Sequence, residues 1–410
     1  MTIPRQCAVL VGGLGIRLGS LTAQTPKPLL SCGGRPFLAW ILRELVRFGI
    51  DDVVLLAGYR SEAVKAFCQE VISTLPKPLK IRLSVEPSPA GTGGALWYAR
   101  ELLDDTFLLI NGDSWFDTNL ARFFADYERQ DHYGIGSILL RHMADCGRYG
   151  TVELRDSKVV AFHEKTERTR DGLISSGIYI FNKGVFNYLK SNCSLERDVL
   201  PKLAKDNRLS GRIARGYFID IGIPEDYERS QRELRSRLLR PAIFFDRDGV
   251  LNEDLGWVGT RDRFQWLPGA KEALRLATDS GFHAFVVTNQ AGVAKGFFTE
   301  SDVQALHHQI VGEVQQFGGT IDDIRYCPYH PDGIKEPYRQ ISECRKPAPG
   351  MILDLLRVWE VRKEASVLIG DKESDMKAAE SAGICNMLFS GGNLHDFVQS
   401  FVSPVSLIDD

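Results

Sequence analysis

No apolar run in this 410-residue sequence approaches the roughly 20 residues that span a bilayer as a helix. Repeats, low-complexity tracts and long blocks of like charge are also missing. The formal net charge is only −3, which gives no electrostatic reason to expect a nucleic acid or a membrane surface as partner. Any phosphate must then be held by a local arrangement. The first apolar stretch, CAVLVGG, is too short and too glycine-rich for a secretory leader. The eight cysteines, at 7, 32, 68, 146, 193, 327, 344 and 385, are too scattered for a disulfide framework. Reduced thiols in a cytoplasm are the expectation.

What is present is an α/β pattern written twice. The chain is too long for one ordinary core, and apolar residues at 44% with charged residues at 25% are those of a globular protein. CAVLV, DDVVLLAG, IRLSVEP and TFLLING read as strands. PFLAWILRELVRF places Leu38, Ile41, Leu45 and Phe48 on one helical face. The alternation predicts βα units around a largely parallel sheet. Residues 133–222 are richer in strands, and the charged segment 225–240 reads as a helix ending at Pro241. After it the alternation restarts with AIFFD, HAFVVTN, IRYCPY, SVLIGD and CNMLFS. The expected division is 1–228, a connecting helix 229–240, and 241–410.

The first half carries a glycine-rich turn after a strand, VLVGGLGIRLGSLTAQTPKPLL. Gly12, Gly13 and Gly15 can turn backbone N–H groups toward phosphate oxygens, with Arg17 and Lys27 adding charge. A dinucleotide fingerprint counted from Gly13 fails at Leu18, and no Walker pattern is present. A plain turn that needs glycine remains an alternative. PAGTGGAL offers a second such turn at Gly91, Thr92 and Gly93, opening a helix and suited to a nucleotide base or phosphate. LLINGDS and YFIDIG end strands on Asp113 and Asp220, which can share a Mg²⁺ or, singly, serve as turn residues.

The second half stops a strand on Asp246-Arg247-Asp248-Gly249. Downstream come Thr288 and Asn289 at another strand end, where hydroxyl and amide can hold a phosphate. Arg345 and Lys346 then precede a proline-led helix, and Asp371 ends a further strand with Asp375 in the next turn.

Taken in order, GGLGIRL, TPKPLL, AGTGGAL, NGDS, FHEK, SSGIYIF and FIDIGIPEDY resemble the sugar-1-phosphate nucleotidyltransferases, most closely the D-glycero-D-manno-heptose 1-phosphate guanylyltransferases. The resemblance implies in-line attack by a sugar phosphate on a nucleotide α-phosphorus. Arg17 and Lys27 would hold the triphosphate of GTP, and Asp113 and Asp220 a Mg²⁺. Glu164, Lys165, Ser176 and Gly177 would line the sugar-phosphate pocket. FFDRDGVLNED, VVTNQAGVAKGFFTE, ECRKPAPGM and IGDKESDMKAA resemble the haloacid-dehalogenase phosphatases, in particular the heptose 1,7-bisphosphate 7-phosphatases. This implies Asp246 as nucleophile, Asp248 as general acid and base, a Mg²⁺ among Asp246, Asp248 and Asp371, and Lys346 neutralising the phosphoryl group. The implied fold is two Rossmann-like α/β domains in series, a nucleotidyltransferase mixed sheet followed by a haloacid-dehalogenase-type parallel sheet.

Together the two resemblances imply that the phosphatase removes the 7-phosphate of heptose 1,7-bisphosphate and supplies the 1-phosphate that the guanylyltransferase consumes. Two alternatives stand beside this: a second half that only binds or regulates, or the same two activities on another sugar phosphate. One feature departs from the phosphatase pattern. The family's zinc loop, Cys-x-His followed by Cys-x-Cys, reads here Cys327-Pro328-Tyr329-His330 and Ser342-Glu343-Cys344. Two of four ligands are gone, so zinc is not expected.

Overall fold

Strands form where β-branched and large apolar residues run together, because only a sheet covered on both faces hides such runs completely. In the computed structural model, which describes residues 3–13, 15–129, 134–163 and 171–402, Cys7–Val9 and Val53–Leu56 are essentially inaccessible to solvent. The chain divides into two compact units. One is built from residues up to Thr118 and from Asp126 to Arg237, the other from Asn119–Ala125 and from Leu238 onward.

The first unit holds a nine-stranded mixed sheet. Lys80–Val85, Asp52–Ala57, Gln6–Leu10 and Thr106–Asn111 lie side by side and parallel. Gly172–Asn182 then runs antiparallel to Thr106–Asn111 and to Gly136–Met143. Leu209–Ala214, Lys158–His163 and Thr151–Arg155 complete the far edge. Helix Phe37–Arg47 buries Leu38, Ile41 and Leu45, as the spacing predicts, while Phe48 caps it. Phe218–Asp220, the YFIDIG segment, does not join this sheet. It pairs with Ser114–Phe116 in a separate two-stranded ribbon, Asp220 opposite Ser114.

Helix Pro224–Leu238 packs on the first unit. Leu234 is fully buried, Ser230 reaches the Cys32 sulfur at 3.2 Å, and Tyr227 donates to the Ser31 carbonyl at 3.1 Å. The second unit holds five parallel strands in the order Asp323–Cys327, His283–Asn289, Ala242–Phe245, Val367–Gly370 and Cys385–Leu388. The chain starts at the central strand and builds outward in both directions. Ligands of such sheets bind beyond the carboxyl ends at the point where the order reverses. Among the described residues no helix is long and apolar enough to cross a membrane.

Candidate active sites

In the first unit the ribbon pairing sets two carboxylates side by side. Lys27 is buried, with Nζ 2.6 Å from Asp113 Oδ2 and 3.3 Å from Asp220 Oδ1. Burial, and then the neighbouring Asp113, raises the Asp220 carboxyl above its ordinary range, while Lys27 opposes the rise. Arg17 converges on the same point: a Cβ on Gly222 would lie 2.8 Å from Asp220 Oδ1 and 3.0 Å from both Arg17 Nη2 and Lys27 Nζ. Arg17, Asp113 and Asp220 line a cleft of about 770 Å³, whose walls also include Arg148, Ser175, Tyr179 and Arg197. Two carboxylates sharing one ammonium form a cradle that a divalent cation and a polyphosphate fit electrostatically.

The turn after Gln6–Leu10 is tight. A Cβ on Gly12 would sit 2.9 Å from the Gly58 nitrogen, whereas one on Gly13 would meet nothing within 4 Å. Gly15 adopts φ 61°, and its carbonyl accepts from the Leu18 N–H and the Thr22 hydroxyl. Glu86 lies over this turn. Its Oε2 accepts from the Ala90 N–H at 3.2 Å, its Oε1 would be overlapped by a Cβ on Gly58, and burial raises its carboxyl.

Gly91, Thr92 and Gly93, expected beside a nucleotide base or phosphate, also have a packing duty. The Gly93 N–H donates to the Cys193 carbonyl at 3.0 Å. Thr92 Oγ1 donates to Glu196 and accepts from the Leu195 N–H. A Cβ on Gly91 or Gly93 would strike Cys193 at 2.6 or 2.7 Å, so glycine here permits close packing. Ser176 and Gly177 line the same cleft as Asp113 and Asp220, with the Ser176 hydroxyl donating to the Leu139 carbonyl at 2.8 Å. Gly177, at φ 78°, sits against Asn111 where the strand register shifts. Glu164 and Lys165 lie outside the described residues.

In the second unit the carboxyl ends of three neighbouring strands meet. Lys346 Nζ is buried 2.7 Å from Asp246 Oδ1, 2.6 Å from Asp375 Oδ1 and 2.8 Å from the Val287 carbonyl. Asp246, Asp371 and Asp375 bring one carboxylate oxygen each within 4.8 Å of one another. Asp371 Oδ1 is buried without a hydrogen-bond partner, which is the unmet demand a cation satisfies. Burial pushes the Asp246 carboxyl up, and Lys346 pulls it back. The residues present fit a divalent metal with oxygen ligands.

Asp248, expected among the metal ligands, is not in this cluster. Its carboxylate is gripped by Arg247 through Nε and Nη2 at 3.0–3.2 Å, by Asn252 Nδ2 at 2.9 Å and by Gln290 Nε2 at 2.8 Å. Asp375 takes the vacated place. Arg247 is wholly buried, and also donates to the Val258 carbonyl and to His307 Nε2. Thr288 and Asn289 line the cleft beside these groups, and Asn289 also exchanges two hydrogen bonds with the Lys346 backbone, at 3.0 and 3.1 Å, and so positions the lysine. Thr288 Oγ1 accepts from Gln290, and Arg345 reaches the Tyr329 carbonyl at 3.4 Å. A cleft of about 270 Å³ opens over Asp246, Asp248 and Lys346, with Trp257 and Phe298 in its wall.

Sequence reading missed Arg247, Gln290 and Glu86. Arg247 was visible as a charge inside an apolar-flanked motif, a position where a charge is rare unless paired.

Comparison with known proteins accords with this division. Residues 7–237 match the nucleotidyl transferase family, and residues 343–396 match a hydrolase-like family of the haloacid-dehalogenase type. A D-glycero-beta-D-manno-heptose-1,7-bisphosphate 7-phosphatase of Rhodopseudomonas palustris is 48% identical over 160 residues, 39% of this chain and 89% of that protein. A D-glycero-alpha-D-manno-heptose 1-phosphate guanylyltransferase of Aneurinibacillus thermoaerophilus is 38% identical over 234 residues, 56% of this chain and 98% of that protein. Its counterpart in Campylobacter jejuni is 34% identical over 224 residues, 54% of this chain and 96% of that protein.

Proposed function

Because the chain belongs to the nucleotidyl transferase family through residues 7–237, and beside it to the heptose-bisphosphate phosphatases, we propose that it makes GDP-heptose in two steps, the second unit supplying the first. The observation that carries this is the pair of separate cation cradles, Asp113–Lys27–Asp220 and Asp246–Asp371–Asp375 with Lys346.

In the phosphatase step the Asp246 carboxylate attacks the phosphorus of the 7-phosphate and the bond to O7 breaks. Asp248 gives its proton to O7, and Arg247, Asn252 and Gln290 hold it in place to do so. Water, losing a proton to Asp248, then attacks the aspartyl-phosphate, and inorganic phosphate leaves Asp246 free. Lys346 stands beside the transferring group as a fixed positive charge. A bound Mg²⁺, favoured by the all-oxygen donors, would neutralise phosphoryl oxygens there. In the transfer step an oxygen of the sugar 1-phosphate attacks the α-phosphorus of GTP and pyrophosphate leaves. Arg17 and Lys27 offset the charge, and Asp113 and Asp220 would hold a second Mg²⁺. Glu86 suits guanine, whose edge offers two adjacent N–H donors to one carboxylate.

One anomer must serve both sites. A phosphate on the anomeric oxygen blocks ring opening, so the 1-phosphate released by one unit cannot change configuration before reaching the other. The phosphatase relative named above acts on the beta sugar and the guanylyltransferases on the alpha. Transfer sets the requirement, so we assign the alpha 1,7-bisphosphate. The test supplies each anomer with Mg²⁺ and each nucleoside triphosphate in turn. GDP-heptose should form from the alpha anomer and GTP, with the GTP preference reduced in Glu86→Gln. Phosphate release confined to the beta anomer would refute the assignment.

A further inference from the structure

The segment that bears the family's zinc ligands does not supply a zinc site here, yet it is not open. Cys327 ends the strand Asp323–Cys327, and Cys344 lies across the loop 328–343 from it. Their sulfurs are 2.8 Å apart, and both thiols are free. The other neighbours are poor zinc donors: the Ser342 hydroxyl, 3.0 Å from the Cys344 sulfur, and the Tyr329 carbonyl, 4.0 Å from that of Cys327. His330 is turned elsewhere, its Nδ1 accepting from the Asp332 N–H at 3.0 Å. Among the described residues no third His, Cys, Asp or Glu joins the two sulfurs in a metal-sized cluster.

We infer that Cys327 and Cys344 form a reversible disulfide that closes the loop 328–343 in place of a metal, and so clamps the segment carrying Lys346. The geometry connects the pair to the phosphatase site from both sides. The Cys327 carbonyl accepts from the Gln290 N–H at 2.8 Å, and Gln290 holds Asp248. Cys344 stands two residues before Lys346, whose ammonium touches Asp246 and Asp375.

The two sulfurs have different parts in the exchange. Cys327 is wholly buried, whereas Cys344 is partly exposed, and the contact with Cys327 lowers its thiol to about 6. Cys344 as thiolate therefore attacks one sulfur of a small disulfide such as oxidised glutathione, expelling one glutathione thiolate. The Cys327 thiol, losing its proton, then attacks the Cys344 sulfur and expels the second. Two protein thiols lose two electrons and two protons, and the small disulfide gains them as two thiols.

The test uses the full-length, zinc-free chain, equilibrated across a series of reduced-to-oxidised glutathione ratios, trapped with N-ethylmaleimide and read by peptide mass spectrometry. A peptide linking Cys327 to Cys344, about 2 Da lighter than the two thiol peptides together, should appear as the ratio falls and vanish with dithiothreitol. In Cys327→Ser, Cys344 should instead retain one glutathione. Limited proteolysis within 328–343 should be several-fold slower in the oxidised wild type than in the reduced, since the crosslink restricts local opening. These readouts do not depend on either catalytic activity. Absence of the linked peptide at the oxidising end, pairing of Cys344 with another cysteine, or equal cleavage of the two forms would overturn the inference. So would protein purified with one zinc per chain and both thiols shielded.

Discussion

Between Asp246 and Asp248 stands Arg247, and it decides which carboxylate joins the cluster with Asp371 and Asp375. The resemblance to the haloacid-dehalogenase phosphatases implies that both aspartates meet one cation, as residues i and i+2 of a continuing extended strand would, sharing a face. The chain leaves the strand at this point, and Gly249 adopts φ 92°. Arg247 then draws the Asp248 carboxylate to itself. The proposed nucleophile and the proposed proton donor are thus separated by one buried guanidinium. Asp246→Asn should lower phosphate release from the bisphosphate by about 10³-fold or more, while nucleotidyl transfer to an added 1-phosphate continues at the wild-type rate. Coincident loss of both would contradict two independent sites. His307 pays for this arrangement: burial, and then Arg247, lowers its pKa from 6.5 to about 3, and neutral Nε2 is the acceptor Arg247 requires. The unfolded chain takes up that proton below pH 6.5 and the folded one does not. Stability therefore falls on acidification from about 6.5 toward about 3, by about 1.4 kcal/mol per pH unit from this group. In His307→Gln, urea midpoints between pH 7 and pH 5 should move less than in the wild type.

Strand ends were legible at the level of elements because an apolar run that halts on a carboxylate marks both the sheet and its rim. Asp113, Asp220, Asp246 and Asp371 were found in this way, and the structure gathers them in two pairs. Pairing partners were not legible. Nothing in YFIDIG shows that it leaves the large sheet for a ribbon with Ser114–Phe116, since hydrogen-bond partners over a hundred residues away leave no local mark. Glycines are ambiguous for a related reason: a missing Cβ serves packing against Cys193 as well as it serves a nucleotide, and PAGTGGAL reads the same in both cases. Two other glycines give matched tests. Gly222→Ala would crowd Asp220, Arg17 and Lys27, whereas Gly249→Ala would force a left-handed φ on alanine and overlap Asp371. The first should reduce nucleotidyl transfer at least about tenfold and spare phosphate release. The second should raise the Mg²⁺ concentration needed for phosphate release by about tenfold and spare transfer, each being the effect of roughly 1.4 kcal/mol lost at one site. Steady-state rates of both reactions on both variants decide the matter.

For the whole molecule the question is what joining two active sites in one chain achieves. Covalent linkage fixes their ratio at one to one and raises local concentration, but a product is retained only if its path to the second site is shorter than its escape into solvent. The two clefts are separate cavities with separate linings, about 770 and 270 Å³, and among the described residues none is shared between them. Each is also formed by groups of a single unit. The heptose 1-phosphate should therefore leave one chain and be used by any other. Full-length Asp246→Asn, lacking phosphate release, mixed with full-length Gly222→Ala, lacking efficient transfer, should restore GDP-heptose formation from the bisphosphate and GTP. At saturating concentrations of both variants the mixture should approach the wild-type steady-state rate, after a lag while free 1-phosphate accumulates, and added 1-phosphate should abolish the lag. If the mixture stayed silent while each variant kept its remaining activity, the intermediate would be handed over within one chain, and the fusion would act as a conduit beyond setting stoichiometry.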